Sequence, residues 1–357
     1  MKDDILKPYI IAETAYNHEG DIKYLFKMID DIADINLNAI KFHLLIKPES
    51  YIQKKHPLIK EIKKWVFSKR QWEKIIDYSN RKICNVIILC DDVEGIDYIV
   101  KNEKNIDAIE LHATGLNDYF LLDAVSEYSQ KIILGIGGSS LEEIAYAVNF
   151  LKNRGRENIL LMYGFQSYPT DYAEINLAKM LKIRELFNLP IGYADHTSYD
   201  DPNNEIVSCF PAAMGINILE KHYTPDAGIK RIDYHAAVGK KTMTKIKELM
   251  ELALKVNGDG SLKMSKAEMA YGNTGPMKKA IVAKKDIKRG EKLSLNNLWF
   301  KRTVKESSIK QNQFPYLIGL KAIHDLKEDE IVDFTCVEYE FKKDRVENFT
   351  HLKRDGS

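Results

Sequence analysis

A chain of 357 residues exceeds one ordinary domain and has room for a barrel of about 250 residues plus a module of under about 100. Hydrophobic residues at 45% and charged ones at 29% are globular proportions, and 53 basic against 52 acidic side chains give no polyanion-seeking excess, which argues against nucleic acid as a partner. The opening MKDDILKPYI turns acidic at once, and no stretch approaches the roughly 20 apolar residues of a membrane span, so a cytoplasmic protein with no membrane partner is expected.

Short apolar, β-rich runs recur along the chain: PYIIAE, NAIKFHLL, NVIILCD, IDAIELH, KIILGIG, NILLMYG, LPIGYAD and INILEKH. Between them, segments such as DIKYLFKMIDDIADI, SLEEIAYAVNFLKN and EINLAKMLKIRELF carry apolar residues three and four apart, the spacing of an amphipathic crossover helix. Eight such βα units predict a closed TIM (β/α)8 barrel over residues 1–258; an open doubly wound sheet is the alternative, but no GxGxxG follows the first run. After a last barrel helix near 241–256, residues 259–278 have the Gly, Ser and Lys content of a linker. Residues 279–340 read as a small mixed-β module, and 341–357 as a flexible tail. The four cysteines, Cys84, Cys90, Cys209 and Cys336, lack CxxC spacing and are read as reduced thiols, Cys90 as a core residue.

In such a barrel the chemistry collects at the C-terminal ends of the strands, where the βα loops converge. There the sequence places Glu13, Lys41 with His43, Asp91 and Asp92, Glu110 with His112, the Gly135–Gly138 turn, Gln166 with Tyr168, Asp195 with His196, and Glu220 with His222. His196 and His222 follow neighbouring strands and can share one divalent ion, with water and substrate oxygens completing its shell; the structural alternative is a histidine pair bonded to Asp195. Glu13 or Glu220 would then move a proton at the reacting oxygen. The bare N–H groups of LGIGGSSLEE, opening a helix, can hold an anion or can simply join strand to helix.

At these residues the chain resembles the sialic acid synthase family. The markers are IAETAYNHEGD, KFH, SLEEI, SYPT, ADHT and EKHYT, after the first, second, fifth, sixth, seventh and eighth strands. The resemblance implies a nonulosonic acid synthase of surface-glycan biosynthesis, condensing phosphoenolpyruvate with an N-acetylated hexose in a metal-dependent aldol-type reaction. It implies manganese, or magnesium or cobalt, on His196 and His222, and Glu13 and Glu220 as active-site carboxylates. Lys41 then binds an anion, Tyr168 is a site tyrosine, and Asp233 corresponds approximately to a sugar-contacting aspartate. The tail resembles an antifreeze-like (SAF) domain, which implies a domain-swapped homodimer with Arg302 reaching the partner's site.

The sequence departs from the family at the phosphate. Leu89 stands at a threonine, Glu110 at a lysine, Ala113, Gly135 and Ala194 at serines, Gln166 at an asparagine and His43 at a glutamine. A carboxylate there repels a phosphate a few ångströms away by about 1 to 4 kcal/mol. Three readings therefore stand: a synthase whose phosphate rests on backbone amides around Gly137, Gly138 and Ser139 with Lys41; a repurposed metal-dependent lyase, aldolase or isomerase, with Glu110 and His112 as new groups; and a non-catalytic sugar-acid-binding homologue.

Overall fold

The computed structural model describes residues 6–82, 85–167 and 170–338 and divides into two compact units, Met1–Gly260 and Ser261–Ser357. The first holds β1 (Tyr9–Glu13), β2 (Ala39–Leu44), β3 (Asn85–Cys90), β4 (Ala108–Leu111), β5 (Lys131–Gly135), β6 (Ile159–Tyr163), β7 (Ile191–Asp195) and β8 (Ile218–His222). Each pairs in parallel with the next, and β1 pairs with β8, so the expected eight runs close into the barrel.

Around them in chain order lie α1 (Ile22–Asp34), α2 (Pro48–Tyr51), α3 (Ile59–Trp65), α4 (Lys69–Lys82), α5 (Val93–Val100), α6 (Tyr119–Val125), α7 (Leu141–Asn153), α8 (Tyr172–Ile175), α9 (Leu177–Phe187), α10 (Asn204–Ala213) and α11 (Lys240–Asn257). Their starts are written locally. Asp21 caps α1 by accepting from the Lys23 and Tyr24 amides, and Ser140 and Glu143 form a reciprocal capping box at α7. The buried faces follow the three-and-four spacing: Leu25, Met28, Ile29 and Ile32 on α1, Ile144, Ala147, Val148 and Leu151 on α7.

Side chains alternate across each strand, and that alternation sorts the barrel into two regions. Ile11, Ala39, Ile87, Ala108, Ile133, Leu160, Met162 and Ala194 form one apolar cluster within the lumen, while the larger core fills the space between sheet and helices. Two residues further along β1, β2, β4 and β8 the same face carries Glu13, Lys41, Glu110 and Glu220. The lumen is therefore apolar below and charged at its mouth.

The second unit opens with α12 (Lys266–Tyr271), a short helix with its own Ser265–Glu268 capping box, inside the stretch read from composition as linker. Then β9 (Ala280–Ala283) pairs antiparallel with β10 (Leu298–Lys301). Turns and single bridges such as Ile287 to Leu326 and Lys292 to Lys321 wrap a core of Ile281, Ile287, Leu293, Leu317, Leu326 and Val332. The tail 341–357 lies outside the described residues. Among the described residues no helix is long and apolar enough to cross a membrane.

Candidate active site

The mouth is organised by one lysine. Lys41 Nζ lies 2.7 Å from Glu13 Oε2, 2.9 Å from Glu110 Oε2 and 2.7 Å from Glu220 Oε2, and all four residues are buried. One ammonium among three carboxylates leaves a surplus of negative charge in a medium that screens it poorly. Burial alone would lower the Lys41 pKa, but Glu110 and Glu220 outweigh it and hold the ammonium above its ordinary value. Burial pushes Glu220 up to about 7 against the opposing charge of Lys41, with Glu110 adding to the rise. A carboxyl so placed can take or give a proton near neutral pH.

Glu13 is fixed from its own loop, its Oε1 accepting the Ala15 amide at 2.7 Å. His43 stands between two acids, Nε2 at 3.7 Å from Glu13 Oε1 and Nδ1 at 3.8 Å from Asp91 Oδ2. Burial, followed by the charge of Lys41, holds its imidazole neutral. His112, 6.2 Å from the His43 ring, is likewise held low by burial and Lys41; its Nδ1 meets Thr114 Oγ1 at 2.8 Å.

His196 and His222 come together with ring centroids 5.2 Å apart. Burial pushes His196 down to about 4 and holds His222 well below its usual range, so both rings keep lone pairs for a metal. His196 Nδ1 is buried and has no hydrogen-bond partner among the described residues, which fits a ligating nitrogen. Among those residues no group of three or more His, Cys, Asp or Glu side chains is disposed around one ion. The protein's share of such a site is two imidazoles, with the remaining positions left for water and substrate.

Gln166 Nε2 reaches Asp233 Oδ1 at 3.4 Å, joining the β6 and β8 loops; Tyr168 lies outside the described residues. Arg302 sits in the second unit, its guanidinium bonded to the Pro276 carbonyl through Nε at 2.8 Å.

Asp195 requires a correction. Ala194 and His196 face the lumen, so the residue between them faces out. Its carboxylate receives Lys221 Nζ at 2.6 Å, the Thr197 amide at 2.9 Å and hydroxyls of Thr197, Ser208 and Tyr193. Asp195 therefore ties β7 to β8 and α10 and is unavailable to a substrate in the mouth. Although burial opposes it, Lys221 and these donors hold its carboxyl far below the ordinary carboxylate range.

The glycine turn also has a packing cause. A Cβ at Gly137 would stand 1.9 Å from the Gly164 carbonyl oxygen, so the β5 and β6 ends touch backbone to backbone. The Ser139 amide already bonds Ile136 O, and the Ser140 amide bonds Glu143. One of the three amides expected to hold an anion, that of Ser139, is thus engaged within the chain, as is its neighbour at Ser140.

Sequence reasoning missed the opening motif's second task. Asn17 Nδ2 donates to Ile232 O at 2.9 Å, Glu19 Oε1 accepts the Ile232 amide at 3.1 Å, and Arg231 lies 3.9 Å over the Tyr24 ring. These contacts clamp the loop that carries Asp233. Tyr16, also missed, donates to Asp91 Oδ2 at 2.6 Å. Its place in the run IAETAYNHEGD was the available signal.

Comparison with known proteins places this geometry. The NeuB family profile matches residues 28–261 and the SAF domain profile residues 278–338. The chain is 29% identical over 344 residues to N,N'-diacetyllegionaminic acid synthase of Campylobacter jejuni, covering 91% of this chain and 99% of that one. The crystal structure of N-acetylneuraminic acid synthetase from Leptospira borgpetersenii, 27% identical, superposes with a TM-score of 0.67 over 74% of this chain and 90% of that one. A spore coat polysaccharide biosynthesis protein E from Chromobacterium violaceum, 20% identical, shares the fold at a TM-score of 0.80 over 93% of this chain and 100% of that one.

Proposed function

The chain belongs to the NeuB family, and from that premise we propose that it is a sugar-acid enzyme of surface-glycan metabolism that makes or breaks a carbon–carbon bond beside a carbonyl without phosphoenolpyruvate. The observation that carries this is the Lys41 cluster. The lysine available for an anion is held at 2.7 to 2.9 Å by three buried carboxylates, one of them Glu110. A phosphate entering there meets a surplus of negative charge, at a cost of about 1 to 4 kcal/mol per close carboxylate.

His196 and His222 would hold a divalent ion such as manganese, which supplies Lewis acidity toward a carbonyl oxygen when bound. The chain's own groups do the rest. In the cleavage direction Glu220 takes the proton of the hydroxyl beside the scissile bond. That bond's electron pair passes to the keto-acid fragment as an enolate, an aldehyde is released, and the enolate carbon takes a proton. Addition is the reverse. Lys41 fixes the carboxylates, and Gln166 and Asp233, in contact with each other, would border the sugar.

A second reading, a phosphoenolpyruvate-dependent nonulosonic acid synthase, is favoured by the match along nearly the whole length of a named synthase. One assay pair separates the two. Purified protein with manganese is expected to release pyruvate from N-acetylneuraminate or N,N'-diacetyllegionaminate, and to lose that release in His222→Ala while melting like the parent. Sugar-dependent phosphate release from phosphoenolpyruvate would instead establish the synthase. Neither activity, with manganese bound, would leave the non-catalytic homologue.

A further inference from the structure

Beside the mouth lies a second cavity, of about 330 Å³, at the ends of β3 and β4, its walls including Ser50, Tyr51, Asp91, His112, Thr114 and Asp118. His112 lines both spaces, so the two adjoin. The volume lies within the roughly 300 to 1,000 Å³ of small-molecule sites. None of the described side chains lining it is a lysine or arginine. Hydroxyls from Ser50, Tyr51 and Thr114 and a neutral imidazole provide hydrogen bonds without positive charge.

Asp91 is the unbalanced group in this wall. It is 8% exposed, and Tyr16 donates to its Oδ2. Among the described residues its sole ion-pair neighbour is His43, whose ring is held neutral. Burial pushes the carboxyl up to about 7 against the Tyr16 hydrogen bond, with Asp92 adding to the rise and the charge of Lys41 opposing it least. A buried carboxylate lacking a counter-charge is completed by a cation that arrives with the ligand.

An independent feature points the same way. A groove of about 640 Å³ shares Ser50, Asp91 and Asp118 with the cavity and continues past Asp92, Asp97 and Glu127. Its described lining also lacks lysine and arginine, although Lys47 and Arg154 pair with two of its acids, Glu94 and Asp123. Such a trench concentrates cations and repels phosphates and carboxylates.

We propose that this cavity binds the protonated amine of a hexosamine-type sugar, with Asp91 as counter-charge and the surrounding hydroxyls taking the sugar's own. It goes beyond the carbonyl-enzyme reading, which concerns the mouth, and rests on the cavity's own geometry.

The test is calorimetric titration of the full chain, without metal and near pH 7, with D-glucosamine and with N-acetyl-D-glucosamine. Glucosamine is expected to bind at least tenfold more tightly. Buffers of different ionisation enthalpy should show proton release, because Asp91 faces Tyr16, His43, Tyr51, Asp92 and Lys41 from its surroundings, with His112 and Asp118 across the cavity, and is the group there that titrates near 7. Asp91→Asn should lose at least tenfold in glucosamine affinity. Ser50→Trp, at an exposed lip, should block entry whether or not the first variant folds.

Equal binding of the N-acetylated sugar, parent-like binding by a folded Asp91→Asn or by Ser50→Trp, or displacement of glucosamine by magnesium alone at low millimolar concentration would overturn the proposal. Binding without turnover would keep the cavity assigned and remove the catalytic reading. Turnover without preference for the ammonium would do the reverse.

Discussion

Two fully buried lysines belong to the same barrel and live in opposite circumstances. Lys221 on β8 points out of the lumen to one carboxylate, Asp195, whose lone pairs are taken up by Thr197, Ser208 and Tyr193. Lys41 on β2 points inward to three carboxylates and cannot satisfy them all: Glu13 Oε2 and Glu220 Oε2 lie at ion-pair distance without a well-aligned hydrogen bond. A balanced, saturated pair has no chemistry left to perform. A cluster with surplus negative charge raises the proton affinity of its carboxyls into the neutral range and costs stability, which is what sites of catalysis do and packing sites do not.

The largest effect should follow from breaking the balanced pair. Lys221→Met leaves Asp195 charged, buried and uncompensated, and is expected to destabilise the protein by about 3 to 5 kcal/mol in urea unfolding. Asp195→Leu combined with Lys221→Met should recover most of that loss, because two apolar groups replace two partners together. A single Lys221→Met variant as stable as the parent would mean that the pair is no strut, and the contrast with Lys41 would collapse.

The unbalanced cluster should answer differently. Glu110→Gln removes one of three acids and leaves Lys41 its contacts with Glu13 and Glu220, so stability should stay within about 1 kcal/mol of the parent or rise. Affinity for inorganic phosphate, measured by calorimetry, should improve by about 1 to 4 kcal/mol with the repulsion gone. Destabilisation on the scale of Lys221→Met, with no gain in phosphate binding, would make the cluster a structural ion network and remove the argument against phosphoenolpyruvate.

The contrast also marks what could be read in advance. Eight apolar β-rich runs separated by amphipathic segments specify a barrel locally, and all eight strands formed where those runs lie. The facing of Asp195 was legible too. Strand side chains alternate, and with Glu220 and His222 turned inward, Lys221 must turn out toward the β7 residue that does the same. Taking every polar residue at a strand end as a site residue ignored that rule. The meeting of Lys41 with Glu110 was not legible, because it joins residues 69 apart across strands two places removed, and only closure of the barrel sets the distance. Gly137 was read as an anion cradle, whereas its cause is the Gly164 carbonyl of the neighbouring strand end, a contact no local pattern encodes.

Asp91 extends the comparison to a carboxylate with no cation at all, and its test is the mildest. Its folded pKa of about 7 stands above the ordinary 3.8, so the folded state binds its proton more tightly than the unfolded chain. The corresponding stability is fully present below about pH 4 and is lost as pH rises through about 7, with a slope of at most about 1.4 kcal/mol per pH unit. Asp195 has the opposite sign: its depressed pKa stabilises above about pH 4, and that contribution is lost on acidification. Asp91→Asn should therefore flatten the parent's decline between pH 4 and 7 and leave the acid limb in place, as urea midpoints taken at each pH would show. Part of the decline should remain, because Glu220 is also raised to about 7; a slope undiminished in the variant would mean that Asp91 carries none of it and is ionised in the empty cavity at neutral pH.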